Sequence, residues 1–189
     1  MSAEFAVDPG TGRIVPARQV RSPNFDERPG GSQPTLIVIH GISLPPGSFG
    51  GPEIEALFTN TLDWDAHPYF STIRGLEVSA HLLVRRNGNL LQFVPFDKRA
   101  WHCGPSAFRG RSRCNDFSIG IEIEGEDETP YDDRQYAVLT RVVAALRRAY
   151  PSISFRDLAA HSDISPGRKT DPGPAFDWLR LYDELVTGP

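Results

Sequence analysis

The apolar run at positions 35–40 most constrains the fold of this chain. Its order, Thr-Leu-Ile-Val-Ile-His, is rich in β-branched residues and has no charged residue. That pattern is typical of a strand buried on both faces of a sheet. The run ends at His40, followed by Gly41, and open α/β sheets place functional groups at strand ends. His40 could simply hydrogen-bond to nearby backbone, but its position favours a ligand role.

A second polar cluster lies near the end of the chain, at positions 159–174. His161, Lys169 and Asp171 occur there among several prolines and glycines, which exclude a continuous helix. We therefore expect a loop that folds back on itself and directs His161 and Asp171 at one point. Imidazole and carboxylate groups are both zinc ligands, and His40 would be the third. The alternative is a surface turn whose polar side chains face water.

Residues 117–124 alternate strictly, Phe-Ser-Ile-Gly-Ile-Glu-Ile-Glu. In a strand the isoleucines share one face, while Gly120, Glu122 and Glu124 share the other. An edge strand with a solvated face would explain the glutamates. Alternatively, Gly120 leaves room on that face for a ligand to approach two carboxylates. The pattern alone does not choose between Glu122 and Glu124.

The remaining pattern predicts an α/β protein of one domain, in which residues 1–33 form an extended N-terminal segment and residues 34–187 form the domain. Asn87-Gly88 predicts a hairpin between two strands within residues 79–94. His81 in the first of these strands and His67 before a proline are interpreted as structural or surface residues. Capping residues, apolar stripes and prolines predict helices near residues 52–60, 132–150 and 176–186.

Composition narrows the function classes. The net charge of −4 gives no general attraction to nucleic acid or to an anionic membrane. No segment has the length or apolar character of a signal peptide or a membrane span, so we expect a cytoplasmic protein with no membrane partner. Cys103 and Cys114 are the only cysteines, and in that compartment we expect free thiols.

Two further segments carry candidate binding residues. Trp101 and His102 stand next to one another shortly before a Gly, a composition suited to an aromatic wall of a cleft. Arg109, Arg111 and Arg113 cluster within a few residues. They are either a solvated basic loop or a site that grips a carboxylate.

Taken together, these residues resemble the zinc N-acetylmuramoyl-L-alanine amidases of the Amidase_2 and peptidoglycan recognition protein superfamily. The resemblance extends over about residues 15–187 and is strongest to the branch that acts on 1,6-anhydro muropeptides in peptidoglycan recycling. The matching blocks are Ile39-His-Gly-Ile-Ser-Leu-Pro-Pro-Gly, Phe49-Gly-Gly-Pro, Ala66-His-Pro-Tyr-Phe, Val94-Pro-Phe-Asp-Lys-Arg-Ala-Trp-His, Arg113-Cys-Asn-Asp-Phe-Ser-Ile-Gly-Ile-Glu and Lys169-Thr-Asp-Pro-Gly-Pro-Ala-Phe-Asp-Trp.

The resemblance implies a mixed β-sheet that contains mainly antiparallel pairs, flanked by helices, with one Zn²⁺ in a groove at one side of the sheet. It implies that the zinc ligands are His40, His161 and Asp171. Under the same resemblance Glu122, rather than Glu124, activates water, and Lys169 stabilises the oxyanion. It also implies that Arg113 holds a carboxylate of the substrate, and we expect Trp101 and His102 to contact the substrate as well.

Two positions depart from the family pattern. Gly41 follows the first implied ligand where relatives commonly have Asn, and Glu77 stands where Arg is common. Each change removes or reverses a possible contact with the substrate, so peptide preference is the property these departures affect.

The expected activity is hydrolysis of the amide bond between the lactyl group of N-acetylmuramic acid and L-alanine, by a cytoplasmic monomer whose partner is a muropeptide. Two alternatives are a peptidoglycan-binding module without catalysis and an amidase that acts on intact cell wall. The first would lack a metal ligand or the glutamate, and all of these residues are present.

Overall fold

The computed structural model describes residues 4–188, which form a central β-sheet with helices on both faces. The strands are β1 (Ala6–Asp8), β2 (Arg13–Val15), β3 (Arg18–Gln19), β4 (Phe25–Glu27), β5 (Leu36–Ile42), β6 (Leu82–Val84), β7 (Leu90–Gln92), β8 (Lys98–Ala100), β9 (Ala107–Phe108), β10 (Arg111–Ser112), β11 (Ser118–Glu124) and β12 (Leu158–Ala160). The helices are α1 (Glu53–Phe58), α2 (Pro68–Thr72), α3 (Asp133–Ala149), α4 (His161–Ile164) and α5 (Trp178–Thr187).

The central sheet has six strands in the order β12-β5-β11-β6-β7-β3. It is mixed, as expected, but only the β6–β7 hairpin is antiparallel, and the other four pairings are parallel. β5 and β11 lie at its centre, where both faces are covered. This explains why the run at residues 36–39 has no exposed side chain, as the sequence predicts for a doubly buried strand.

Apolar side chains from the two faces of the sheet form separate cores. On one face, Ile37, Ile39 and the isoleucines of β11 pack against α3 and α5. On the other, Leu83 and Leu91 pack with α1 and α2. The predicted helices are confirmed, and α3 begins with a capping box in which Asp132 and Gln135 exchange hydrogen bonds.

The N-terminal segment is extended, and the structure adds that several of its strands pair. β1 and β2 form a hairpin, β3 adds to the edge of the central sheet beside β7, and β4 pairs with β8. Arg28, only 4% exposed, donates hydrogen bonds to the carbonyls of Phe96 and Ser118. The segment is therefore bound to the sheet by backbone pairing and by a buried guanidinium group.

The interpretation of β11 as an edge strand with a solvated face is wrong. β11 is central, and all seven of its residues are buried. The sequence pattern did not reveal this because Glu124 meets a buried cation from a distant segment. Its carboxylate accepts hydrogen bonds from the Arg85 guanidinium at 2.8 Å and from the Gly50 N–H at 2.7 Å.

The segment after β12 also differs from a simple loop. His161 begins the short helix α4, and the irregular chain starts only after it. Pro166 and Gly167 lie in the turn that follows α4, as expected. Within residues 4–188, no helix combines the length and the apolar character that a membrane span requires.

We expect Arg85→Leu to lower the free energy of unfolding by about 3–5 kcal/mol, because it leaves the Glu124 carboxylate buried without its cation. Urea denaturation at neutral pH would measure the change. The exposed pair between Arg74 and Asp65 is the control, and Asp65→Ala should cost no more than about 1 kcal/mol. Equal losses in the two variants would contradict the assigned role of the buried pair.

Candidate metal centre

Three side chains converge at one end of the central sheet. His40 lies on β5, and the neighbouring strand β12 pairs Ala160 with Ile39. His161, the next residue after β12, is therefore placed beside His40. Asp171 comes from the loop after α4. That loop is held by the Ser162 N–H, which donates to the Asp171 carbonyl at 3.1 Å.

The ligand atoms of these residues form a compact triangle. His40 Nδ1 and His161 Nδ1 are 2.9 Å apart, and Asp171 Oδ2 lies 3.3 Å from the first and 3.0 Å from the second. Two ligands of a tetrahedral zinc ion, each about 2.0–2.1 Å from the metal, are separated by about 3.3 Å. The edges of the triangle, 2.9–3.3 Å, are close to this separation, so the three atoms are near enough to share one zinc ion.

The protonation of the histidines also fits a metal. The nearer contact of His161 Nε2 is the Cys103 carbonyl at 3.2 Å, which can only accept, whereas the Arg168 guanidinium lies at 3.5 Å. The shorter contact assigns the proton to Nε2 and leaves Nδ1 with a lone pair. Burial lowers the pKa of His40 to about 4, which keeps that imidazole neutral. The Nδ1 atoms of both rings and Asp171 Oδ2 face one point, where a cation would hold these electron-rich atoms together. The donor set thus fits zinc.

Glu122 stands directly beside His40, because β11 and β5 are paired in register at these residues. Its side chain is 8% exposed, and Oε2 is buried without a hydrogen-bond partner within residues 4–188. Burial, and then the charge of Asp171, raise the pKa of Glu122 well above its usual value. An unpaired buried acid of raised pKa next to a metal-ligand set is suited to proton transfer.

Lys169 reaches the same groove from the loop between His161 and Asp171. The groove has a volume of about 660 Å³, and its lining includes Lys169, Glu122 and the three candidate ligands. The Lys169 side chain forms no salt bridge with any residue in the part of the chain that the structure describes. Its ammonium group is therefore available to an anionic group in the groove.

The other predicted site residues are placed differently from one another. Trp101 and His102 line the groove. Arg113 does not line it; its side chain is 70% exposed and pairs with Asp116 at 3.2 Å. Arg109 pairs with Asp157 at 2.8 Å, so these two arginines of the cluster are engaged with acidic residues of the chain itself.

Gly120 does not leave room for a ligand, contrary to one expectation. A Cβ atom on Gly120 would lie 2.4–2.6 Å from three ring atoms of His102, so the imidazole of His102 already fills that space. His81, by contrast, is packed as predicted. Its Nδ1 accepts from the Gly120 N–H at 3.0 Å.

Tyr131 is a residue that sequence reasoning missed. Its hydroxyl donates to the Pro172 carbonyl at 2.9 Å, next to the candidate ligand Asp171. A Cβ atom on Gly41 would lie 2.5 Å from that hydroxyl. The absence of a side chain at position 41 therefore makes room for Tyr131. The second departure, Glu77, is exposed and is not among the residues that line the groove.

Other predictions are resolved simply. Cys103 and Cys114 are free thiols, as expected, and His67 caps α2 by accepting from the Tyr69 N–H.

A larger surface depression of about 1090 Å³ lies elsewhere, around Arg18, Glu55 and Arg85. Those charged groups pair with one another, so it lacks the converging unpaired groups of the candidate metal centre.

The fold and site together define a class: an α/β protein with a mixed sheet, a His-His-Asp ligand set at one end and an unpaired acid beside it. The sequence profile of the N-acetylmuramoyl-L-alanine amidase family, Amidase_2, matches residues 30–174. The chain belongs to this family.

Known proteins agree with that assignment. The 1,6-anhydro-N-acetylmuramyl-L-alanine amidase AmpD of Escherichia coli K12 is 59% identical over 170 residues, covering 90% of this chain and 92% of that protein. A crystal structure of a selenomethionine derivative of AmpD superposes with a TM-score of 0.90 at 56% identity, covering 92% of this chain and 96% of that one.

A more distant relative has been solved with a ligand. The N-acetylmuramyl-L-alanine amidase AmiD from E. coli, in complex with the substrate anhydro-N-acetylmuramic acid-L-Ala-D-γ-Glu-L-Lys, has a TM-score of 0.59 at 29% identity. The match covers 85% of this chain and 65% of that one.

We expect Glu122→Gln to stabilise the zinc-free protein at neutral pH by at least about 1 kcal/mol, since it removes a buried group that resists ionisation. Because the pKa of Glu122 is raised above 4.5 in the fold, the folded state holds its proton where the unfolded state releases it. Wild-type stability therefore falls relative to the variant as the pH rises above 4.5. Urea denaturation between pH 4 and 8 would measure this, and a difference that does not change with pH would contradict it.

Proposed function

We propose that this protein is a zinc-dependent N-acetylmuramoyl-L-alanine amidase that releases the peptide from 1,6-anhydro-N-acetylmuramic acid, in cytoplasmic recycling of peptidoglycan. The bond cleaved is the amide between the lactyl group of the sugar and L-alanine. The observation that carries this proposal is the buried, unpaired Glu122 Oε2, held beside His40 by the strand register.

The names of the relatives support the substrate class. AmpD of E. coli is a 1,6-anhydro-N-acetylmuramyl-L-alanine amidase, and AmiD was solved with an anhydro-muramyl tripeptide. Identity of 59% over nearly the whole of both AmpD and this chain supports the same reaction here. The groove has a volume of about 660 Å³ and is lined by both polar and apolar side chains, which suits a sugar joined to a peptide.

In this mechanism zinc would be held by His40, His161 and Asp171. When bound, it would act as a Lewis acid toward a carbonyl and would lower the pKa of water from 15.7 to about 7. Glu122 accepts the proton of the water that attacks the amide carbon, and it then donates a proton to the departing amine of L-alanine. A carboxyl group whose pKa is raised by burial is suited to both transfers.

Lys169 stabilises the negative charge that develops on the former carbonyl oxygen. Its position in the groove and its lack of an ion pair within the described chain support this role, because an ammonium already paired with a carboxylate would be a weaker electrostatic catalyst. Trp101 forms part of the groove wall against which the substrate packs. Arg113, exposed and outside the groove lining, would have to swing inward to hold a carboxylate of the peptide.

The direct test is mass spectrometry of anhydro-muramyl tripeptide incubated with the purified protein, with and without a zinc chelator. We expect free tripeptide only without the chelator, and recovery of activity when zinc is restored. A parallel substrate with a reducing-end N-acetylmuramic acid tests whether the anhydro sugar is required. Stoichiometric zinc without cleavage of either substrate would indicate a binding module instead.

We expect Lys169→Ala to keep its zinc but to lose on the order of a hundred- to a thousand-fold in kcat. His161→Ala should instead lose the metal. Lys98→Ala is the matched control, because Lys98 is the other lysine of the chain and its ammonium group pairs with Glu27 at the surface. Steady-state kinetics with zinc analysis would measure both properties. Near-normal turnover of Lys169→Ala would exclude the oxyanion role.

A further inference from the structure

His102 lies against the side of the His40 ring that faces away from the ligand triangle. His40 Nδ1 points toward His161 and Asp171, whereas His40 Nε2 lies 2.9 Å from His102 Nδ1. The two rings meet edge to face at 86°, with centroids 5.0 Å apart. The contact is therefore a hydrogen bond between two ring nitrogens. Which ring donates the proton decides which nitrogen of His40 keeps a lone pair.

That direction is fixed by a chain of hydrogen bonds that ends at a carbonyl. Ser118 Oγ donates to the Cys114 carbonyl at 2.7 Å, and a carbonyl can only accept. The hydroxyl proton of Ser118 is therefore engaged with this carbonyl. The Ser118 oxygen lies 3.3 Å from His102 Nε2 and can only act as an acceptor toward it. His102 then carries its proton on Nε2.

The direction of the remaining hydrogen bond, between His102 and His40, follows because a neutral imidazole ring carries a single N–H proton. His102 Nδ1 therefore has a lone pair, and it accepts a hydrogen bond from His40 Nε2–H at 2.9 Å. The Cys103 thiol, a weak donor, lies 3.1 Å from the same nitrogen and does not supply a competing acceptor for His40. His40 Nδ1 is left without a proton and faces the ligand triangle. His40 is 1% exposed and His102 is 9% exposed, and such burial disfavours a second, charging proton on either ring.

We propose that His102 is a positioning residue for the metal centre: together with Ser118 it fixes His40 in the Nε2–H tautomer and so presents the Nδ1 lone pair to the metal. The sequence pattern had suggested that His102 contacts the substrate. This inference rests on the proposed zinc site, but it concerns the arrangement of His40 before any metal binds.

Gly120 supplies an independent observation. It lies in the middle of a buried central strand, where glycine weakens a sheet. A Cβ atom there would come within 2.4 Å of His102 Nδ1, the nitrogen that accepts the hydrogen bond from His40. Glycine at this position is therefore what lets the His102 ring reach His40.

The second histidine ligand is oriented more simply. His161 Nε2 lies 3.2 Å from the Cys103 carbonyl, which also accepts a hydrogen bond from the Arg168 guanidinium. Both histidines thus have their distal nitrogen tied to a backbone carbonyl, one directly and one through His102 and Ser118. Such outer contacts set the tautomer and the ring orientation of a metal ligand.

The first experiment uses side-chain ¹⁵N NMR of the zinc-free wild-type protein. We expect His40 to carry its proton on Nε2. A proton on Nδ1 would overturn the proposal. This measurement reads out the tautomer even if the protein binds no zinc, so failure of the proposed zinc chemistry and failure of this inference are distinguishable.

The second experiment measures zinc dissociation constants by competition with a chromophoric chelator. His102→Leu, which removes the acceptor, should weaken zinc binding about 10–100-fold and give a mixture of His40 tautomers. His102→Asn should restore most of the affinity, because its amide oxygen can accept a hydrogen bond from His40 Nε2–H as Nδ1 does. Unchanged affinity and tautomer in His102→Leu would overturn the proposal.

Ser118→Ala tests the end of the hydrogen-bond chain that is farthest from His40, with Ser22→Ala as its matched control. Both serines are fully buried and donate to a backbone carbonyl, Ser22 to that of Phe58 at 2.5 Å. We expect both to lose similar stability in urea denaturation, but only Ser118→Ala to show mixed His40 tautomers and weaker zinc binding. Equal zinc affinities in the two serine variants would contradict the proposed role of Ser118 in fixing the tautomer of His40.

Discussion

The parallel pairing of β5 with β11 is the interaction on which the candidate site depends. It sets Glu122 opposite His40, and β12, on the other side of β5, brings His161 to the same end. A shift of one residue in the β5–β11 register would turn Glu122 to the opposite face of the sheet. The register is fixed because both strands are buried on both faces, and a slip would bring the glutamates of β11 into the apolar core under α3 and α5.

Three buried ionisable groups of β5 and β11, those of His40, Glu122 and Glu124, differ in their hydrogen-bond partners. Glu124 is neutralised by Arg85 and by backbone N–H groups. His40 is tied through His102 to a carbonyl. Of these three groups, Glu122 is the one with a buried oxygen that has no hydrogen-bond partner among residues 4–188. An unsatisfied buried acid costs stability, and such a cost is typical of catalytic groups, which need a perturbed pKa.

The elements with strong local signals were predictable. The doubly buried run at 36–39, the Asn87-Gly88 hairpin and the capped helix α3 each follow from local rules, and the structure confirms them. The sequence also supplied the candidate ligands, because His and Asp residues after a buried strand or within a stiff loop are unusual. The edge-strand interpretation of β11 failed because alternation of Ile with Glu looks the same whether a distant Arg or water meets the carboxylates.

What the sequence by itself determined was the set of chemical groups and the strands that carry them: His40 at a strand end, Glu122 on an alternating strand, and His161, Lys169 and Asp171 in one stiff segment. Only the tertiary structure decided which groups meet. It paired Glu124 with Arg85, placed the His102 ring over Gly120, and left Arg113 outside the groove. The physical reason is that local pattern reports which face of a strand a residue occupies, whereas its partner comes from a chain segment distant in sequence.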